Sequence, residues 1–459
     1  MNNAPTIFVI FGITGDLSLR KLLPALLSLY VKKALPAKFS IVGFSRRAFT
    51  REEFRQLIRD EINIKPGQYQ GEEVKHFLDH ISYEQGFFDD LGSYDRLAQT
   101  LKKIDEYWKQ CSNKLFHLSV SPVFYEKVLT NLAQSGLTIS CNADKGWTRV
   151  LVEKPFGNDL ETAQKLDALL GKLFEESQIF RIDHYLAKEA IQNILAFRFV
   201  NSLFEPLWNN KFIECVEVKL LEKIGVEGRG SFYDGVGAIR DVGQNHILQM
   251  LAIIAMEHPE DLSSEVIRAK RAQVLKNLVP ITEKTVAKVL VRGQYEGYLT
   301  EPGVKHGSET ETYFKLIAYI NNKRWSGTPF LLESGKSLYD SKVEINVYFK
   351  NESDPERTNV LTFRIQPAES IQVRFWVKTP GFGMKIEPKT LSFKYSDFNV
   401  GDTIPDAYER VILDAVHGDQ TLFASTEEVK YAWKFITPLV KAIRYTPLKF
   451  YKKGSKHVE

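Results

Sequence analysis

The sequence predicts an α/β fold: a doubly wound parallel sheet in the first third of the chain, then a second domain rich in strands. Three observations predict it. Thr6-Ile7-Phe8-Val9-Ile10-Phe11 is a continuous apolar run ending in a glycine turn that opens a helical pattern. Runs of the same kind then alternate with helical stretches as far as Phe180. Beyond that, several segments carry side chains of alternating polarity, the period of a half-buried strand.

The first run is β-branched and aromatic throughout, as a parallel strand covered on both faces requires. It leads into Gly12-Ile13-Thr14-Gly15-Asp16-Leu17-Ser18, and Leu22, Leu23, Leu26 and Leu27 continue as a helix. Gly12 suits the tight turn, and Gly15 lets backbone N–H groups approach a pyrophosphate at the helix N-terminus, the Rossmann-type arrangement. The spacing GxxGxxS is weak evidence taken alone. The next strand, Phe39 to Phe44, ends in Ser45-Arg46-Arg47, where an NAD-binding fold usually offers a carboxylate to the ribose. Guanidinium groups there suit the 2′-phosphate of NADP, with a pair of solvated surface arginines as the other reading. Lys114 to Val120 and Thr148 to Val152 are further strands, and Tyr94 to Trp108 and Leu160 to Ser177 read as helices. The second of those strands delivers Lys154 to a strand end, either as a surface charge or over coenzyme and substrate.

After Phe180 the stretch Arg181-Ile182-Asp183-His184-Tyr185-Leu186-Ala187-Lys188-Glu189 concentrates polar and ionisable groups. A helix from Tyr185 onward would set His184 and Lys188 one turn apart, either as a phosphate clamp or with His184 as a structural histidine. In Gly237 to Leu251, a helix would bring Asp241, Asn245 and His246 toward one side, as a hydrogen-bonded network or as a site. Phe212 to Leu221, Thr285 to Tyr295, Lys342 to Lys350, Leu361 to Ile365 and Ser370 to Val377 read as strands.

The bulk numbers narrow the function classes. A chain of 459 residues suits two domains. A net charge of +4, thinly spread, gives no case for nucleic acid and none against an anionic small substrate. No run of 18 apolar residues predicts a membrane span, and no signal peptide is expected at the N-terminus. Cys111, Cys141 and Cys215 stand far apart without metal-ligand spacing, so no metal site and three reduced thiols are expected.

Taken together these stretches resemble the glucose-6-phosphate dehydrogenase family. Its GxxGDLA appears as Gly12 to Ser18, its EKPFG as Glu153 to Gly157, and its RIDHYLGKE as Arg181 to Glu189. Its EGRGGYFDxxGxxRDVxQNHLLQ appears as Glu227 to Gln249, and matches continue through Glu311 to Phe314, Arg324 to Phe330, Ser334 to Lys336 and Asp406 to Arg410. The resemblance implies an NADP-dependent oxidoreductase that converts glucose 6-phosphate to 6-phospho-D-glucono-1,5-lactone, the first step of the oxidative pentose phosphate pathway. It makes His246 the general base and Asp183 its carboxylate partner. It assigns the 6-phosphate to His184, Tyr185 and Lys188, the sugar hydroxyls to Glu222, Asp241 and Lys336, and a bridge between substrate and coenzyme to Lys154. Gly12, Thr14, Gly15, Asp16, Leu17, Arg46 and Arg47 would hold the coenzyme.

The same resemblance implies a coenzyme domain over Met1–Phe180 and an α+β domain over Arg181–Glu459 with a large, mostly antiparallel sheet that mediates dimer formation. A cytoplasmic homodimer or homotetramer is expected. Several positions depart from the family pattern. Ala187 replaces a glycine, Ser18 a small residue, and Gly243 a larger apolar one, while Glu333 and Ser341 stand where basic residues are common near Lys336, with Lys342 as a compensating charge. Gly454 to His457 lacks the GSWGP ending, so a second structural coenzyme site is not expected. The alternatives are a dehydrogenase of another hexose phosphate, or a non-catalytic paralogue that holds NADP and sugar phosphate without turnover.

Overall fold

The computed structural model describes residues 4–62, 64, 68–140, 146–397 and 404–458. The chain divides into two compact units. One comprises Met1–Gly157, Glu161–Ala187 and Pro405–Thr426; the other comprises Asn158–Leu160, Lys188–Ile404 and Glu427–Glu459.

Among the described residues the first unit is built on seven strands: β1 (Thr6–Phe11), β2 (Phe39–Ser45), β3 (Ile81–Gln85), β4 (Asn113–Leu118), β5 (Thr148–Val152), β6 (Ile179–Ile182) and a short β15 (Phe423–Ala424). Their order is β15-β6-β5-β4-β1-β2-β3. All pairs are parallel except β15, which runs against β6. Every residue of β1 is buried, the reason its sequence is apolar without alternation. Because β1 pairs with both β2 and β4, the chain winds outward in both directions from it. The crevice at the carboxyl end of β1 and β4 is thus the switch point where such sheets take ligands.

The segment Pro405–Thr426 returns to this unit late in the chain. Its helix, Ala407–His417, is capped by Asp406, whose side chain accepts from Tyr408 N at 2.9 Å. At the far end the carbonyls of Ala415 and Val416 accept from Arg149 Nη1 at 2.6 and 2.8 Å, a cation on the negative end of the helix.

Among the described residues the second unit carries nine strands: β7 (Ile213–Leu221), β8 (Leu290–Tyr295), β9 (Tyr313–Ala318), β10 (Phe330–Gly335), β11 (Lys342–Phe349), β12 (Val360–Gln366), β13 (Ser370–Lys378), β14 (Ile386–Lys394) and β16 (Leu448–Tyr451). Their order is β14-β13-β12-β11-β7-β10-β9-β8-β16, antiparallel apart from the pairs β7–β10 and β8–β16. The helix Leu248–Ala255 is buried along its whole length.

Three expectations are corrected. The stretch Thr285 to Tyr295 is not strand throughout. Val286–Val289 forms one helical turn, started by Thr282 O accepting from Thr285 N and Val286 N, and the strand begins at Leu290. No helix starts at Tyr185: residues 184–187 form a turn and the helix is Glu189–Val200. The thiols are not all reduced, because Cys111 is disulfide-bonded, a proximity that sequence spacing does not reveal. Cys215 is free and half-buried, and Cys141 lies outside the described residues.

Candidate active site

In the first unit the candidate residues follow the carboxyl ends of successive parallel strands. Gly12 follows β1, Arg46 follows β2, Lys154 lies beyond β5, and Asp183 follows β6. Parallel pairing alone brings these four to one edge of the sheet.

The turn after β1 fits a dinucleotide. Gly12 has φ +78°, and a Cβ there would stand 2.3 Å from Ser119 O, so only glycine allows this approach of β1's turn to the chain leaving β4. Gly15 N donates to Gly12 O at 2.9 Å, closing the turn. Ser18 is buried, and its hydroxyl lies 3.1 Å from Gly12 O and 3.0 Å from Ser119 Oγ, so the family departure ties helix, turn and β4 together. Thr14 Oγ1 is 3.0 Å from Ser45 Oγ, linking the turn to the end of β2. Leu17 caps a π-wound segment, Ser18–Leu22, that runs on as the α-helix Leu23–Val31. Asp16 is exposed and pairs with Arg20 at 2.7 Å.

Arg46 and Arg47 are exposed side chains on a fixed backbone. Gln85 Nε2 donates to Arg46 O at 3.2 Å, and the Tyr83 hydroxyl bonds the carbonyls of Ser45 and Arg47. The residues that follow β2, Arg46 and Arg47, carry no carboxylate, which agrees with a phosphate-bearing ribose.

Beside Lys154, Glu153 is buried. Its carboxylate lies 3.1 Å from His117 Nε2, its carbonyl accepts from Tyr125 Oη at 2.8 Å, and it is hydrogen-bonded by Tyr408. Burial, and then the Glu153 charge, hold the Tyr408 phenol far above its ordinary range, so it remains a neutral donor. The Tyr408 ring lies parallel to His184 at 6.4 Å, and His184 contacts Tyr185 at 4.8 Å. The sequence pattern by itself gives Tyr408 no role. The signal was an aromatic side chain two residues after a helix-capping aspartate, in a segment that only folding returns to β6.

Asp183 explains why the turn after β6 is not helical. Its Oδ1 accepts from Tyr185 N at 3.0 Å, and its carbonyl accepts from Leu186 N at 3.0 Å. This local side-chain bond competes with helix formation. Lys188 is then the N-cap of the next helix, with extended φ/ψ. His184 and Lys188 are therefore not one helical turn apart; Asp183, His184 and Tyr185 belong to the first unit and Lys188 to the second.

In the second unit, Asp241, Asn245 and His246 lie on Ile239–Ile247, which is wound as a π-helix. Its i→i+5 repeat brings positions 241, 245 and 246 round to one face, and π segments concentrate at functional sites. Asn245 ties the turn, donating from Nδ2 to Asp241 O at 2.9 Å and accepting from His246 N at 2.6 Å. His246 is buried. The departure at Gly243 is accounted for as well: a Cβ there would meet the Phe314 ring at 3.1 Å, so Phe314 fills the space.

Glu222 and Lys336 are brought together by strand register. β7 and β10 are parallel and finish level, Leu221 opposite Gly335, so the next residue of each stands side by side. Lys336 Nζ donates to Glu222 Oε2 at 2.6 Å, and the same ammonium lies 5.5 Å over the Tyr233 ring. Burial first, and then the Asp241 and Glu311 charges, push the Tyr233 phenol well above its ordinary range, so Asp241 and Glu222 both stand near this ring. Of the departures around Lys336, Glu333 accepts from Tyr313 Oη at 2.8 Å, Ser341 Oγ accepts from Lys223 N at 2.8 Å, and Lys342 pairs with Glu344 at 2.9 Å. Ala187 is buried. Among the described residues, no group of three or more His, Cys, Asp or Glu could hold a metal ion, and no helix is long and apolar enough to cross a membrane.

Known proteins similar to this chain belong to one family. The family described as glucose-6-phosphate dehydrogenase, NAD binding domain, matches residues 9–193, and its C-terminal domain matches residues 195–459. The chain is 43% identical to glucose-6-phosphate 1-dehydrogenase of Aggregatibacter actinomycetemcomitans, over 94% of this chain and 90% of the relative. It is 39% identical to the cytoplasmic glucose-6-phosphate 1-dehydrogenase 6 of Arabidopsis thaliana, over 96% and 88%. Among solved structures, a glucose-6-phosphate dehydrogenase in complex with its substrate glucose 6-phosphate superposes with a TM-score of 0.92 at 34% identity, covering 99% of this chain and 95% of that one. A 3-ketoreductase from Actinomadura kijaniata, at 12% identity and a TM-score of 0.52, shares the fold alone.

Proposed function

The chain belongs to the glucose-6-phosphate dehydrogenase family, and we propose from that premise how its own residues oxidise glucose 6-phosphate at C1 to 6-phospho-D-glucono-1,5-lactone. NADP, when bound, supplies the hydride acceptor. The observation that most supports this reading is the match over 99% of the chain to a dehydrogenase solved with glucose 6-phosphate.

His246 accepts the proton of the C1 hydroxyl. A buried imidazole suits this because its ordinary pKa lies close to neutrality. Asp183 acts as its carboxylate partner, fixing the tautomer and stabilising the imidazolium that forms. His184, Tyr185 and Lys188 hold the 6-phosphate through charge-assisted hydrogen bonds. Glu222, Asp241 and Lys336 orient the sugar through its hydroxyls; the Glu222–Lys336 ion pair, 2.6 Å long, already offers an acceptor and a donor side by side. Lys154 reaches both substrate and coenzyme. Gly12, Thr14, Gly15, Asp16 and Leu17 form the coenzyme turn, and Arg46 and Arg47 take the 2′-phosphate.

The protein works in the cytoplasm, in keeping with the Arabidopsis thaliana relative named as cytoplasmic, and assembles as a homodimer or homotetramer. The dimer is supported by apolar side chains left exposed at one end of the second sheet.

Initial rates over a panel of hexose phosphates and free glucose, with NADP and NAD, test the substrate. Glucose 6-phosphate with NADP should have the highest kcat/KM, and free glucose should be turned over very poorly. A higher value for an amino or epimeric hexose phosphate overturns the substrate assignment. His246→Asn should cut kcat by about 10²–10⁴-fold while sugar-phosphate binding survives. Near-wild-type kcat in that variant removes the base.

A further inference from the structure

The π-helix that carries Asp241 and His246 is held at its first turn by a side chain from the segment that leads into a distant strand. Glu311, two residues before β9, is buried, and its Oε1 accepts from Ile239 N at 3.1 Å. Its backbone works on the same turn: Glu311 O accepts from Ala238 N at 3.0 Å and from Tyr233 Oη at 3.5 Å. The first N–H groups of a helix have no partner within the helix, and a buried one left unbonded is costly. A carboxylate there satisfies the donor and meets the positive end of the helix.

The fit is close on the other side as well. Gly237 has φ +74°, and a Cβ on it would stand 2.3 Å from Glu311 Oε1 and 2.5 Å from its carboxyl carbon. Any side chain at 237 would displace the carboxylate, so the glycine and the acid are matched to each other. Burial raises the Glu311 carboxyl above its ordinary range, with the Ile239 N–H pulling it back. A group kept buried at such a cost is expected to do work that a neutral apolar residue could not.

We infer that Glu311 is a positioning residue for this reaction, its carboxylate fixing the first turn of the helix that presents Asp241 to the sugar and His246 to the C1 hydroxyl. The inference rests on the reading of His246 as the base. Asp241 lies two residues beyond the clamped Ile239, within the same turn, so a loose first turn moves both groups relative to the substrate. A displacement of about 1 Å at a reacting pair can cost on the order of 10²-fold in rate.

Glu311→Asp and Glu311→Gln separate position from charge. Asp keeps the charge but withdraws the acceptor by about one C–C bond, roughly 1.5 Å; Gln keeps the reach and loses the charge. Glu311→Asp should lower kcat by about 10–100-fold with the KM for NADP unchanged, and amide exchange across Ala238–His246 should accelerate. Glu311→Gln should retain most of the wild-type kcat. Thermal melts of both variants establish that folded enzyme is being compared, whatever becomes of Glu311→Ala. A Glu311→Asp enzyme with wild-type kcat overturns the inference, as does a Gln variant impaired as badly as Asp. His246→Asn measured alongside keeps the two readings apart: if it loses activity while Glu311→Asp does not, only the positioning role fails.

Discussion

Arg46 and Arg47, proposed to take the 2′-phosphate, combine a fixed backbone with open side chains. Their carbonyls are bonded by Gln85 and Tyr83 while both guanidinium groups remain exposed, so the backbone is fixed before any anion arrives. Less ordering entropy is then lost on binding, and each charge-assisted hydrogen bond contributes about 1.5–3 kcal/mol. Arg46→Ala should therefore raise the KM for NADP by roughly 10–100-fold and leave kinetics with NAD nearly unchanged. Equal losses with both coenzymes would mean that Arg46 is structural or contacts a part of the molecule that NAD shares.

The helix Ala407–His417 shows what a single element contributes when it returns late in the chain. It brings Tyr408 to His184 and Glu153, and it is bound at its ends by the Asp406 cap and the Arg149 clamp. Near its C-terminus Asp414 is buried, and burial pushes its carboxyl up to about 6 against the pull of Arg410, 2.9 Å away. The folded state thus binds this proton more tightly than the unfolded chain. The stability so gained is fully present below the ordinary carboxyl value of 3.8 and is lost as pH rises through about 6. Asp414→Asn removes the titration, so its stability relative to wild type should improve between about pH 4 and 7, by at most about 3 kcal/mol. Denaturation curves whose difference stays constant over that range would contradict this.

At the scale of the whole molecule, the second unit leaves apolar surface uncovered. On β13 and β14, Phe375, Val377 and Leu391 are exposed, Leu391 at 67%, and Val200 near the end of a neighbouring helix is exposed at 75%. A groove of about 500 Å³ lined by Phe197, Val200, Ile371, Val373, Leu391 and Phe393 runs between that helix and the sheet. Apolar patches of this kind on a folded chain mark association surfaces. Sedimentation should show a dimer or tetramer, and Leu391→Glu should shift it to monomer, because Leu391 is 67% exposed on this face and a charge there opposes its burial. A wild-type monomer at micromolar concentration would exclude this assembly.

How much of this was legible in the sequence depends on the range of the interactions involved. The strands Thr6–Phe11 and Thr148–Val152, the glycine turn, the missing carboxylate after β2 and the helix around Asp241 were all readable, because each is set by apolar periodicity or turn chemistry over a few residues. The assigned roles of Asp183, His184, Lys188 and Lys336 came from ordered motifs, not from pattern alone. Local competition misled the reading at Tyr185, where the Asp183 side chain closes a turn and postpones the helix to Glu189, and at Thr285, where two threonines start a helical turn. Other features could be decided only by tertiary structure. Glu222 and Lys336 are 114 residues apart and meet because two parallel strands finish level. Tyr408 reaches His184 because residues 405–426 return to the first sheet, and Glu311 reaches Ile239 N because Gly237 leaves room for its carboxylate. Such pairings depend on register and on space between elements, and neither is encoded in the few residues on either side of any one of them.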